Sequence, residues 1–358
     1  MNPDLLGTSY TAAWLEAQCR EGRHFTAAQI HVRYEDESIL DAAFGVMDDG
    51  SPVSPSTAFR TYCAGKPFLV AALDRAVERG SVDLDAAVGT YLPECGASLG
   101  GSTIRSLVEH QLPLGDPSGF AGALSPVEGK TRRALQQADA AIRSGGPPQY
   151  SEFLAWEVLA SALGAATGKP WTHLVREVGR SAGGPSSEAA FEAQEFLRLV
   201  RSGGVAANVS IRGDRHLPLL GETSEAMWRR FEGPGFGIVT SARALAALVH
   251  DSFVDAGPDR MARPPGVVRH FGPARRALEF RCGLMAGPST LCTSDLWPDD
   301  LIGHSGLAGM TLVAGSRSLG VTFAIHVNGM MPPDVSDGFV RPLLTTALHG
   351  DLVAAGVI

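Results

Sequence analysis

The feature that most constrains this 358-residue chain is where its strand-like runs fall: at both ends, with helices and Gly-Pro-rich loops between them. Near the N-terminus, residues 24–34 and 39–47 flank the polar Glu35-Asp36-Glu37-Ser38. Ile30 and Val32 alternate there with His31 and Arg33, which is a hairpin pattern. Near the C-terminus, residues 309–316 and 320–328 flank Arg317-Ser318-Leu319 and predict a second hairpin. Neither terminal segment holds enough strands for a sheet of its own. The layout therefore predicts one α/β domain built from residues 1–90 and 235–358, with a mostly helical insertion at 91–234. Helices are expected over 9–21, from about Cys63 to Gly80, over 151–166 with Gly168 as the stop, over 241–253 and over 338–355. Loops are expected at 51–56, 96–102, 112–122, 144–148 and 181–187.

Several function classes fall to composition. With 44% hydrophobic and 19% charged residues, the chain can bury enough apolar surface to offset its ordering entropy. Thirty basic against 38 acidic residues leave a net charge of −8, so no basic surplus exists to neutralise phosphates, and no nucleic-acid partner is expected. No apolar run reaches the roughly 18 residues of a membrane span. The N-terminus has neither the basic nor the apolar region of a secretory signal, and the expected location is the cytoplasm, although a mature exported protein would look the same. Five irregularly spaced cysteines support neither a disulfide framework nor a zinc site. The histidines contain no His-Glu-x-x-His, and His110, His173 and His250 stand isolated, so no metal is expected. A phosphate loop and a Gly-x-Ser-x-Gly elbow are both missing, and no cofactor is expected. Trp156, Trp171 and Trp228 read as core or pocket wall, and Cys19, Cys95, Cys282 and Cys292 as structural thiols.

The chemistry-bearing segment is Phe59-Arg60-Thr61-Tyr62-Cys63-Ala64-Gly65-Lys66. A thiol followed three residues later by an amine, at a helix start, places both groups on one face. The helix N-terminus and Lys66 would both lower the thiol pKa and favour the reactive thiolate. The chain has only three lysines, Lys66, Lys130 and Lys169. Such a spacing from any of five cysteines arises by chance about 4% of the time.

The run from Phe59 to Pro93, with Lys66, Ala71-Ala72-Leu73, Glu78, Gly80, Asp83-Leu84-Asp85 and Tyr91-Leu92-Pro93, resembles the penicillin-binding-protein and class C β-lactamase-like superfamily. Cys63 stands where that family's Ser-x-x-Lys motif has serine. Tyr150-Ser151-Glu152 is similar to its Tyr-x-Asn motif, with Glu for Asn, and His304-Ser305-Gly306 to its third, strand-borne triplet. The segment at 235–248 with Thr240-Ser241-Ala242 also resembles the family, whereas its His-x-Ser-Gly run is degraded to His110-Gln111-Leu112-Pro113. The resemblance implies an antiparallel sheet flanked by helices, packed on the helical region, with Cys63, Tyr150 and His304 converging in the cleft between them.

The resemblance also implies roles. Cys63 would be the nucleophile, and Lys66 and Tyr150 would handle protons around it. Backbone N–H groups of Cys63 and Leu307 would form an oxyanion hole. His304, Ser305 and Gly306 would lie beside the substrate. Glu152 would hold Lys66 as an ammonium and so favour a thiolate–ammonium pair, or bind the ammonium of an incoming amine.

Three readings compete: an acyltransferase forming an amide through a Cys63 thioester, a hydrolase of esters, amides or β-lactams, and a non-catalytic ligand-binding relative. Cysteine favours the first, because thioesters react with amines more readily than oxyesters do. Family members include ATP-independent transacylases of capuramycin-type antibiotic biosynthesis. The partners implied are a small-molecule acyl donor and an amine.

Overall fold

A computed structural model describes residues 6–7, 9–47, 50–115, 129–181, 205–206, 233–255, 266–269, 277–306, 309–329, 331 and 336–358. Residues 116–122 of the expected loop 112–122 and residues 182–187 of the expected loop 181–187, together with Leu307 and Trp228, lie outside these residues.

Helix α1 (Tyr10–Glu21) starts where the Ser9 side chain accepts from the Ala12 N–H and ends at Gly22 in the left-handed region. Its first turn gains a distant partner. Asp351 accepts from the Tyr10 and Thr11 N–H groups at 3.0 and 2.9 Å and from Thr11 Oγ1 at 2.6 Å. Strands β1 (Ala27–Tyr34) and β2 (Glu37–Gly45) form the N-terminal hairpin; β1 is shorter than the expected run, and β2 starts and ends two residues earlier than expected. Strand β3 (Ala58–Arg60) leads through a 3₁₀ turn, Tyr62–Gly65, into α2 (Lys66–Glu78).

Next come short helices at Val88–Tyr91, Ala97–Gly100 and Ile104–Val108, the first two within stretches of turn. Three longer ones follow: α3 (Lys130–Ser144), α4 (Leu154–Thr167) and α5 (Trp171–Ser181). Gly168 caps α4 in the left-handed region, the stop that the sequence predicts. Strands β4 (Val205–Ala206) and β5 (Val239–Thr240) precede α6 (Ala242–Val249), which continues as a π turn over His250–Val254. Strands β6 (Gly266–Arg269), β7 (Ala277–Arg281), β8 (Leu284–Ala286) and β9 (Ile302–Ser305) lead to the C-terminal hairpin, β10 (Thr311–Ser316) and β11 (Val321–Val327). A π turn at Ser336–Val340 opens α7 (Arg341–Ala354).

The eight-stranded sheet has the order β2-β1-β11-β10-β9-β8-β7-β6, with every neighbouring pair antiparallel. Strand β1 thus lies between its own hairpin partner and β11, so the two ends of the chain share one sheet. Side chains alternate across the central strands. Val313 and Ala324 join a core with Phe68, Leu69 and Leu159, residues of α2 and α4. Leu312, Ala314, Phe323 and Ile325 join a second core with Leu15 of α1 and Leu348 of α7. Strands covered on both faces are buried along their whole length, as β10 and β11 are. This is the mixed α/β architecture, an antiparallel sheet flanked by helices, that the sequence predicts.

A second sheet, β4-β3-β5, holds the segment before Cys63. Phe59 pairs with Thr240 and Arg60 with Val239, antiparallel, while β4 runs parallel to β3. No helix among the described residues is long and apolar enough to cross a membrane. Among the same residues no group of three or more His, Cys, Asp or Glu side chains could hold a metal ion.

Candidate active site

Thr61 anchors the turn that carries Cys63. Its N–H and its Oγ1 both donate to the Ile238 carbonyl, each at 3.0 Å. Tyr62 then takes φ +52°, a strained value for a bulky residue, and packs edge-on against Phe236 at 4.9 Å. The following 3₁₀ turn eclipses positions i and i+3. Cys63 and Lys66 therefore share one side, as their spacing predicts. Gly65 has no room for a side chain: a Cβ there would lie 2.6 Å from the Ile238 Cβ. Pro67, at the start of α2, costs no helical hydrogen bond.

Lys66 is fully buried. Its Nζ donates to the Gly235 carbonyl at 2.9 Å and lies 5.4 Å from the ring centroids of both Tyr150 and Trp156. Gly235 must be a glycine here, since a Cβ would meet the Glu152 carbonyl oxygen at 2.6 Å and Trp156 Cγ at 2.9 Å. Tyr150, half-buried on the loop before α4, is stacked on Phe280 with centroids 5.6 Å apart and planes at 18°. Ser151 fastens that loop: its Oγ accepts from the Ala155 N–H at 3.0 Å and its carbonyl from Trp156 Nε1 at 3.2 Å.

The Cys63 sulfur receives hydrogen bonds from Tyr150 and Lys66, and Glu152 is near enough to act on it through its charge. The sequence leads one to expect a depressed thiol pKa. The structure corrects this: burial pushes the Cys63 thiol up, outweighing Lys66, and the Glu152 carboxylate raises it further. The charge of Glu152 itself thus acts on the sulfur against the thiolate. Near neutral pH the Cys63 side chain is therefore a thiol.

His304 lies on β9 opposite Val313 and is fully buried, 6.4 Å from the Tyr150 ring. Burial, and after it the Lys66 charge, push its pKa down to about 3, so the ring is neutral near pH 7. Ser305 Oγ points to Met285 Sδ at 3.5 Å. Gly306 donates its N–H to the Thr311 carbonyl at 2.6 Å, and a Cβ on it would lie 2.6 Å from the Thr61 carbonyl oxygen. Only glycine lets the end of β9 approach the segment before Cys63 this closely. Cys63, Lys66, Tyr150, Glu152 and His304 are thus brought together, with Ser305 and Gly306 alongside. Leu307 lies outside the described residues.

Two residues of the site escape sequence reasoning. Phe280 on β7 forms the other half of the Tyr150 stack. His110, read from the sequence as isolated, sits 4.7 Å from the Tyr150 ring and 5.8 Å from that of Trp156, and its Nδ1 accepts the Ser151 N–H at 3.2 Å. Its one signal was its place at the degraded family run. Trp156 is the pocket wall that the sequence allows.

A family model described as Beta-lactamase matches residues 13–345. No curated protein matches the chain. Among solved structures, a penicillin-binding-protein homologue from Caulobacter crescentus is 17% identical with a TM-score of 0.73, covering 99% of this chain and 98% of its own. EstCE1, described as a hydrolase with promiscuous acyltransferase activity, is 15% identical with a TM-score of 0.71, covering 98% and 99%. SurE is 23% identical with a TM-score of 0.63, covering 97% of this chain and 75% of its own.

Proposed function

Because the chain belongs to the beta-lactamase family, we propose that it is an acyltransferase that joins an ester-type acyl donor to an amine through a thioester on Cys63. The observation that carries this reading is the buried sulfur hydrogen-bonded by Tyr150 and Lys66, at the start of a helix. Sγ attacks the donor carbonyl, the C–S bond forms and the C–O bond breaks. The thiol proton passes by way of Tyr150 and Lys66 to the departing alcohol. An amine then attacks the thioester, the C–N bond forms and the C–S bond breaks, and the proton the amine sheds returns to the departing sulfur by the same groups. Cysteine suits this second step, since a thioester is the more reactive acyl donor toward nitrogen. The Cys63 N–H, with that of Leu307, would hold the oxyanion. A cytoplasmic step of secondary-metabolite biosynthesis, between two small molecules, fits such an enzyme.

The hydrolase is the second reading. It differs only in the acceptor, and the similar structures described as a family VIII carboxylesterase and a D-amino acid amidase speak for it. Intact-protein mass spectrometry with a panel of activated esters tests both. A covalent acyl adduct on Cys63, missing in Cys63→Ala, is expected, and added amines should turn it into amide and not free acid. Free acid with every amine would make the protein a hydrolase. No adduct with any ester, and a Cys63 inert to thiol reagents, would make it a binding protein.

A further inference from the structure

Two buried imidazoles in the site each carry a nitrogen without a hydrogen-bond partner among the described residues, and the bonds made by the other ring nitrogens fix what those atoms are. His110 Nδ1 receives the Ser151 N–H at 3.2 Å. A nitrogen that accepts bears a lone pair, so this ring is neutral and its proton is on Nε2. His304 Nδ1 lies 2.9 Å from the Ser305 carbonyl oxygen, which can only accept. That nitrogen is therefore N–H, and Nε2 of the neutral ring carries the lone pair.

Both Nε2 atoms are buried, and neither has a partner among the described residues. One is a donor and the other an acceptor. Leaving either unpaired is costly, and buried polar atoms of this kind call for a specific explanation. The two rings share their surroundings. His110 lies 4.7 Å from the centroids of both Tyr150 and Phe280, and His304 lies 6.4 and 6.5 Å from the same two rings. Each feels the Lys66 charge, and His110 feels His304 as well.

We propose that His110 and His304 form a recognition pair that takes, from the acyl donor, a neutral group able both to accept and to donate a hydrogen bond, such as a primary carboxamide or a hydroxyl. The proposal rests on the acyl-transfer reading and names the donor's chemistry. A carboxylate would satisfy the His110 N–H but set its charge against the His304 lone pair. An apolar group would leave both nitrogens unpaired. Both atoms are out of reach of solvent in this structure, so the ring packing around them yields as the group enters.

The probes are p-nitrophenyl esters of succinamic acid, succinic acid and 4-methylpentanoic acid, matched in length and ending in a carboxamide, a carboxylate and an isopropyl group. The rate of Cys63 acylation near pH 7 should favour the carboxamide by at least about tenfold over either other ester. His110→Asn keeps an acceptor for the Ser151 N–H and suits the φ of +53° at this position, but removes the Nε2 donor. In that variant the preference should fall close to one. A wild-type protein without the preference, or a variant that slows all three esters by one factor, overturns the pair. Nitrogen-15 NMR of the histidine-labelled protein reads it independently of acylation. His110 should be the Nε2–H tautomer and His304 the Nδ1–H tautomer near pH 7, with succinamide shifting both Nε2 signals and succinate neither. Another tautomer, an imidazolium or no shift with succinamide overturns the pair, whether or not Cys63 acylates. The expected NMR result with no acylation by any ester would instead sink the acyl-transfer reading.

Discussion

Lys66 and Glu152 act on the Cys63 sulfur with opposite sign, the first favouring thiolate and the second opposing it. Burial adds to the second effect and decides the outcome. The sign for a variant follows directly. Glu152→Gln removes a negative charge, so the thiol pKa falls and the thiolate fraction near neutral pH grows. Iodoacetamide should then alkylate Cys63 faster than in the wild type. An acceleration of about threefold would correspond to half a pKa unit. An unchanged alkylation profile, with a raised Michaelis constant for the amine, would make Glu152 an amine-binding group. The positions of Cys63, Lys66, Tyr150 and His304 were legible because each lies in a short motif. The protonation of the sulfur was not, because it depends on how completely the turn is covered by residues far away in sequence.

Among the elements, α1 depends on a residue of α7. Its first turn has orphan N–H groups, and the Asp351 carboxylate takes two of them together with the Thr11 hydroxyl. Asp351→Ala should cost about 1–2 kcal/mol in chemical denaturation. Native-state alkylation of Cys63 should be unaffected, since the hydrogen bonds of the Asp351 carboxylate run to Tyr10 and Thr11 of α1. A loss under a few tenths of a kcal/mol would show that water replaces the carboxylate at no cost. Local signals such as Ser9, Gly22 and Gly168 made α1 and α4 readable from sequence, as alternation did for the two terminal hairpins. The same signals could not show the cap by Asp351, or that His110 meets Ser151 across 41 residues. Both are tertiary contacts between elements whose own patterns do not mention each other. The π turns before α7 and after α6 were read as helix, because apolar spacing does not separate an i+4 from an i+5 ladder.

For the whole molecule, buried neutral histidines set the response to acid. Burial pushes both His304 and His326 from the usual 6.5 down to about 3, and holds His110 well below its ordinary range. Well above pH 6.5 these rings are neutral whether the chain is folded or not, and they do not alter stability. Below 6.5 the unfolded chain takes up protons that the folded one refuses, so stability falls until pH approaches 3. The melting temperature should therefore drop between about pH 6.5 and pH 4. His326, paired through Nδ1 with Thr311 Oγ1 at 2.6 Å, lies on β11, and His326→Gln should show a smaller drop. An equal drop in both proteins would assign the acid response to other groups.

Strand β1 also has a history during synthesis. When it leaves the ribosome only β2 is there to pair with it, and its other edge waits for β11. Such an edge is a template for strands of other chains until its own partner arrives. Cys63 is made early too, long before Tyr150 reaches its sulfur and before His304 enters the sheet. Until then it is an ordinary cysteine on a growing chain. The last strand to be made shields the first one, and the thiol finds its proton partners only as the molecule closes.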